Sequence, residues 1–366
     1  MRLGIDASRA TAARRTGTER YARRLIEGLA ALAPPHTLRL YFRDQPGDWL
    51  AHNPAVERRI IPFPRLWTHV RLSWALLAER PRPDALFVPA HVLPMLHPLP
   101  SVVTVHDLGY HYFPEAHPPR QRSYLEWSTR RAARAATHLL ADSQATARDL
   151  TAVYGVPPEK VTVVYPGRDE ALRRVDPAAV RARYDLPADF LLHVGTLQPR
   201  KNLLRLIEAV EQVRTQHPAL TLVLAGRAGW LAEPIMAAAR ARPWVRRLDY
   251  VPDADLAGLY SAARVFAFPS LYEGFGFPVL EALACGVPVV CANTSSLPEL
   301  AGEAALLVDP LDVGALAKAI GRVLSEPALA ETLLSHAPEQ LARFTWARAA
   351  EEAMRVLLKV VGGEKP

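Results

Sequence analysis

Two blocks of short apolar runs alternating with helical periodicity restrict this chain to a narrow set of folds. In the first block, strands are expected at Leu3–Ala7, Leu38–Phe42, Ala85–Pro89, Val102–His106, His138–Ala141 and Val161–Tyr165. Helices are expected over Glu19–Ala33, Thr68–Glu79, Arg120–Ala136 and Gln144–Tyr154. The second block repeats the rhythm, with expected strands at Phe190–Val194, Leu220–Ala225, Arg247–Val251, Val265–Phe268, Val287–Cys291 and Ala305–Val308. Strands each followed by a helix form parallel sheets covered on both faces, with ligands at the strands' carboxyl ends. The proline- and charge-bearing text from Gly167 to Pro187 breaks the pattern and reads as a linker. The expectation is an α/β chain with a first lobe over 1–168, a linker over 169–187 and a second lobe over 188–342. Two Rossmann-like lobes of this kind leave a cleft between them. The helices Pro327–Ala342 and Thr345–Val360 have no strand to follow, and the last (343–366) is expected to cross back to the first lobe.

A chain of 366 residues, half of them hydrophobic and 22% charged, has the material for two packed cores. No run of 18 apolar residues suggests a membrane span, and the immediate entry into a strand argues against a signal peptide. Cys285 and Cys291 lie in or beside buried segments and read as reduced core residues rather than a bridge or metal site. The expected location is therefore the cytoplasm. Charge is uneven: residues 1–185 carry 27 Lys and Arg against 18 Asp and Glu, whereas 186–366 carry 17 against 19. A basic first half suits an anionic surface, such as the inner face of the cytoplasmic membrane, or a phosphate-bearing acceptor. No nucleic-acid recognition motif accompanies the charge, so nucleic acid is not an expected partner.

The chemistry concentrates between Phe268 and Val290. A strand, a short turn with Gly274, and a helix over 276–284 aim backbone N–H groups at one spot, which suits a phosphate. Glu273 and Glu281 bracket that spot. Beside a phosphate pocket, carboxylates serve to accept hydrogen bonds from neutral hydroxyls, which points to a nucleotide, a sugar, or both. Glu281 stands in an otherwise apolar segment and needs a partner there. Gly195-Thr-Leu-Gln-Pro-Arg-Lys-Asn202 follows a strand and precedes a helix, which places Arg200 and Lys201 to clamp a diphosphate.

Other motifs weigh less. His106-Asp107 closes a strand on the ligand side of its sheet. Gly17 opens a helix in Arg14-Arg-Thr-Gly-Thr-Glu-Arg-Tyr21; the run is not G-x-G-x-x-G, so a nicotinamide cofactor is disfavoured. Asp253-Ala-Asp255 has the form of a D-x-D metal motif but reads as a helix N-cap followed by a first-turn acid. Trp67, Val70, Arg71 and Trp74 recur at helical spacing. An interfacial membrane helix or a cleft-lining helix has this look, and packing is the favoured reading.

The chain resembles the family 4 retaining glycosyltransferases of the GT-B fold, most densely at Gly195–Asn202, Val251–Ala263 and Leu271–Pro310. The resemblance rests on Tyr272-Glu-Gly-Phe-Gly-Phe-Pro278, Glu281-Ala-Leu-Ala-Cys-Gly286, Ser295-Ser-Leu-Pro-Glu299 and the Arg-Lys pair upstream. Within the family it looks most like bacterial mannosyltransferases that extend O-antigen and related polysaccharides. The resemblance implies that Glu273 contacts the donor sugar's hydroxyls, Glu281 the ribose, and Arg200 and Lys201 the diphosphate. It also implies that Gly195, Val251 and the amides of Phe275, Gly276 and Phe277 border the donor. His106 is implied beside the transferred sugar, and Gly17, His106 and Asp107 on the acceptor side. No metal or further cofactor is implied: the donor is a nucleotide sugar, GDP-mannose first and a UDP-hexose second. The implied acceptor is a glycan or lipid-linked glycan. A non-catalytic nucleotide-sugar-binding subunit is the alternative from another class.

Overall fold

The computed structural model describes residues 1–11 and 17–363, so Arg14, Arg15 and Thr16 of the first-lobe loop lie outside the described residues. The chain divides into two compact units. The first contains residues 1–111, 119–167 and 344–366; the second contains 112–118 and 168–343.

The first unit is built on a parallel sheet of β1 (Arg2–Asp6), β2 (Thr37–Phe42), β3 (Val56–Ile60), β4 (Ala85–Val88), β5 (Ser101–Val105), β6 (His138–Ala141) and β7 (Val161–Val163). Its order is β3-β2-β1-β4-β5-β6-β7, so the winding reverses between β1 and β4. The sequence reading missed β3 because Val56-Glu-Arg-Arg-Ile60 is a polar edge strand with no apolar period. What seats it is charge: Arg39 lies opposite Glu57 in the β2–β3 register, with its guanidinium 2.7 Å from that carboxylate and 3.1 Å from Glu79. The expected single helix Thr68–Glu79 is a π-turn, Thr68–Leu72, running into the helix Ser73–Ala78. Its packing expectation holds for Trp67, which is buried and bonds the Ile61 carbonyl, and fails for Val70 and Trp74. Trp74 is 66% exposed.

The last helix, Trp346–Gly362, belongs to this first unit and packs on the helix Gly17–Leu32. Small residues permit the close approach: a Cβ on Gly28 would lie 2.6 Å from that of Ala350. Leu25, Ile26 and Leu29 meet Ala353, Met354 and Leu357 in one core. The Thr345 hydroxyl caps the last helix by accepting from the Arg348 amide.

The second unit holds β8 (Phe190–Val194), β9 (Thr221–Ala225), β10 (Val245–Leu248), β11 (Val265–Phe268), β12 (Val289–Ala292) and β13 (Ala305–Val308), all parallel. Their order, β10-β9-β8-β11-β12-β13, reverses between β8 and β11. The stretch expected to be a linker carries the helix Ala178–Tyr184, whose Val180 packs against Gly258. Asp253 does not cap the helix Asp253–Ala262; Pro252 occupies the cap position without a side-chain bond. Asp255 instead accepts from Arg183 at 2.5 Å and Tyr184 at 2.7 Å. Both cysteines are buried and neither is in a disulfide.

Candidate active site

The strand order decides where the second unit's ligand site falls. The loops following β8 and β11 flank the reversal point, where neighbouring connections run to opposite faces and leave a crevice. Arg200 and Lys201 lie on the first loop, in a turn over Pro199–Lys201, and Glu273 lies on the second. The Leu271 amide donates to the Arg200 carbonyl at 2.9 Å and joins the loops directly. Asn202, at φ 59°, ties the same turn to the Pro269 and Pro310 carbonyls at 3.1 and 2.6 Å.

Glu273 takes both cations. Lys201 Nζ lies 2.5 Å from Oε1 and Arg200 Nη1 2.9 Å from Oε2, and Arg200 also bonds the Tyr272 carbonyl. Burial by itself would raise the Glu273 carboxyl, but the charges of Arg200 and Lys201 override it and hold the group at about 2. Sequence reasoning placed the cations on a diphosphate and Glu273 on neutral hydroxyls; the structure joins all three. One carboxylate between two cations leaves the group formally cationic, with its long side chains already held in place.

The turn carrying Glu273 is held from the loop after β12. Ser295 Oγ accepts from the Glu273 amide, and Ser296 Oγ donates to the Glu273 carbonyl, both at 2.9 Å. Ser296 also bonds the Phe275 carbonyl. Gly276, at φ 123°, precedes the helix Phe277–Ala284, and a Cβ there would meet Leu297 at 2.7 Å. At the start of that helix Pro278 has no N–H to offer, and the Val279 amide bonds the Gly276 carbonyl at 3.0 Å. Glu281 is buried one turn in, and the partner its apolar surroundings demanded is Tyr260, whose hydroxyl donates at 2.9 Å. Gly195, at φ 154°, approaches Gly226, where a Cβ would sit 2.0 Å from the Gly195 carbonyl oxygen. Val251 belongs to the apolar core of this unit.

In the first unit, adjacent parallel strands bring together two groups that are 36 residues apart. Val105 pairs with Ala141, so His106 and Asp142 emerge side by side, with Nδ1 2.7 Å from Oδ2. The other ring nitrogen faces the Pro89 carbonyl at 3.3 Å, and Tyr21 meets the ring edge-on at 4.8 Å. Both nitrogens face acceptors, a setting that favours imidazolium. Burial lowers the His106 pKa and Asp142 more than offsets it, leaving it above the ordinary value. Asp107 bonds the Gly109 amide at 2.8 Å, and Gly17 is the exposed first residue of its helix. Sequence reasoning missed Asp142, although an acid just past a strand end is the same signal that singled out His106. It also missed His193, a histidine inside the apolar strand β8.

Two family descriptions fit this chain: "Glycosyltransferase Family 4" over residues 15–172 and "Glycosyl transferases group 1" over 188–326. An "O-antigen chain mannosyltransferase B" from Escherichia coli is 33% identical over 361 residues, covering 90% of this chain and 93% of its own length. The chain is a family 4 glycosyltransferase. Its fold is GT-B, with two Rossmann-like lobes. Sucrose-phosphate synthase from Thermosynechococcus elongatus matches the fold with a TM-score of 0.78 at 23% identity, covering 99% of this chain and all of its own. Anabaena Alr3699/HepE, in complex with UDP and glucose, matches with a TM-score of 0.75 at 21% identity, over 98% of this chain and 99% of its own. Among the described residues of this glycosyltransferase, no group of three or more His, Cys, Asp or Glu side chains could hold a metal ion.

Proposed function

We propose that this glycosyltransferase moves a hexose, mannose first, from a nucleoside diphosphate sugar to a glycan or lipid-linked glycan during cell-surface polysaccharide synthesis. The reading rests on one observation above all: Arg200, Lys201 and Glu273 meet beside a helix start at the reversal point of the second sheet. Glycosyl transfer builds oxocarbenium character on the sugar while negative charge grows on the departing diphosphate. Donors fixed in advance stabilise that charge without reorganising. As the phosphates take the two cations, the Glu273 carboxylate becomes available to the sugar hydroxyls. Glu281, oriented by Tyr260, accepts from the ribose.

Two cations and a helix end supply the charge stabilisation without requiring a metal. The acceptor hydroxyl attacks on the leaving-group face, with retention of configuration, and the phosphate takes its proton. GDP-mannose is the first donor because the relative with 33% identity is a mannosyltransferase. A UDP-hexose is the second, since the HepE fold neighbour was solved with UDP. The test is release of nucleoside diphosphate from a panel of GDP-, UDP- and ADP-sugars, with metal-free and metal-added arms. GDP release from GDP-mannose, accelerated by a glycan acceptor, is the expected result. Binding without turnover on every donor would favour a non-catalytic subunit.

A surface of the first unit supports membrane contact for this enzyme. Val70, Trp74, Met95, Leu96, Tyr124 and Trp127 are all exposed. They form one patch: Tyr124 bonds His69 at 2.9 Å, Trp127 lies 5.4 Å from that ring, and the Leu96 amide bonds Ser73. Arg65, Arg120, Arg122 and Arg130 are exposed on the same segments. Aromatic rings beside cations suit the headgroup layer of an anionic bilayer, and a cytoplasmic protein could dock there peripherally. No described helix is long and apolar enough to cross a membrane.

A further inference from the structure

Close to the cation pair lies a buried imidazole that the chemistry above leaves unused. His193, at zero exposure in β8, hydrogen-bonds through Nδ1 to the Ala267 carbonyl at 3.0 Å. Its ring stacks on Phe268 with 5.5 Å between centroids and 15° between planes. These contacts fix both the ring plane and the tautomer: Nδ1 carries the proton and Nε2 a lone pair. Nε2 has no hydrogen-bond partner among the described residues. Such an orphan is rare in a folded protein and asks for an explanation.

The surroundings supply one. A Cβ on Gly195 would lie 3.5 Å from His193 Nε2 and 3.7 Å from Lys201 Cε. The lone pair and the lysine stem thus border one gap, open because residue 195 has no side chain. The Lys201 ammonium lies 4.9 Å from the centre of the Phe268 ring on which His193 stacks. Burial first, and the Lys201 charge after it, push the imidazole down to about 4, so the lone pair persists at neutral pH.

We propose that His193 is a positioning residue for Lys201: when a diphosphate draws the ammonium away from Glu273, His193 Nε2 accepts a hydrogen bond from it and fixes its new place. The inference rests on the diphosphate-binding reading of Lys201. A neutral acceptor serves here where a second carboxylate would repel the phosphate. It orients the ammonium without cancelling its charge.

The experiment compares His193→Phe, which keeps a stacked ring and loses the acceptor, with His193→Gln, which restores an acceptor. Each is made in the full chain, with and without Lys201→Ala. Nucleoside diphosphate affinity and turnover are read together. His193→Phe is expected to lower turnover about tenfold, with a smaller loss of nucleotide affinity, and His193→Gln to recover most of it. In the Lys201→Ala background, His193→Phe should add nothing. An impaired Lys201→Ala beside an unaffected His193→Phe overturns the His193 inference alone, as does an undiminished His193→Phe defect in the Lys201→Ala background. A normal Lys201→Ala removes the Lys201 reading, and this inference with it. Should His193→Phe fail to fold, nitrogen NMR of the wild-type chain decides. The Nε2 resonance should move when GDP or UDP is added, and a resonance that stays put overturns the proposal.

Discussion

Lys201, Arg200 and Glu273 show how one buried carboxylate can organise a site for the opposite charge. Buried cations without an anion are costly, and a carboxylate shared between them removes that cost while leaving the group cationic. Lys201→Ala is expected to lower turnover about a hundredfold, the scale of losing one fixed electrostatic stabiliser. Near-normal turnover would remove the lysine from the chemistry.

The same triad sets an acid limit. The Glu273 carboxyl is depressed in the folded chain to about 2 from an ordinary 4.5. Its stabilisation is therefore complete above about pH 4.5 and lost as the pH falls toward 2. Glu273→Gln should flatten that part of the acid-unfolding curve, read by circular dichroism between those limits.

His106 has the opposite sign. Its folded pKa lies above the ordinary value, so its contribution is complete below about pH 6.5 and fades as the pH climbs through the raised value. Asp142→Asn removes the charge that holds it up. Proton NMR titration of His106 in that variant should give a pKa below that of wild type. An unchanged value would show that Asp142 does not set its charge.

Among the elements, the second sheet's loops are shaped by glycines that cannot be replaced cheaply. Gly226, at φ 143°, faces the Gly195 carbonyl so closely that a Cβ would reach backbone, which has no rotamer to yield. Gly226→Ala should push the Gly195 loop away and displace Arg200 and Lys201 with it. A lower melting temperature together with at least about tenfold weaker nucleotide binding is the expected pair of results. Weaker binding without a change in melting temperature would point to the loop alone. Gly321 on the same unit makes a fair control, since a Cβ there meets nothing within 4 Å.

Several elements eluded the sequence for identifiable reasons. β3 is held by Arg39–Glu57 pairing rather than by an apolar stripe, so periodicity has nothing to detect. The helix Ala178–Tyr184 sits in text that reads as a break because its proline and charges flank it. It forms where Val180 meets Gly258 and Arg183 meets Asp255. Only the packed chain supplies those partners.

For the whole molecule, the exposed aromatic surface of the first unit carries the boldest expectation. If Trp74 and Trp127 enter a headgroup layer, the full chain should bind vesicles rich in phosphatidylserine at low salt and release them as salt rises. Replacing both tryptophans by Ser should abolish most of that binding while leaving release of nucleoside diphosphate on a soluble acceptor intact. Failure of the wild-type chain to bind at low salt would remove the membrane from the account.

The sequence alone determined what depends on order along the chain. Alternating periodicities made two parallel α/β lobes, and strand-turn-helix text at Gly195–Asn202 and Phe268–Val290 marked the candidate site, because a helix end can be recognised wherever its local pattern is written. Charge composition likewise marked the first half as basic. The tertiary structure decided which groups meet. It joined Glu273 to Lys201 across 72 residues and to Arg200 beside it, set Asp142 against His106 through strand register, left the His193 lone pair beside the lysine, and turned Trp74 outward. Those outcomes follow from the order of strands in a sheet, a long-range property that local periodicity does not encode.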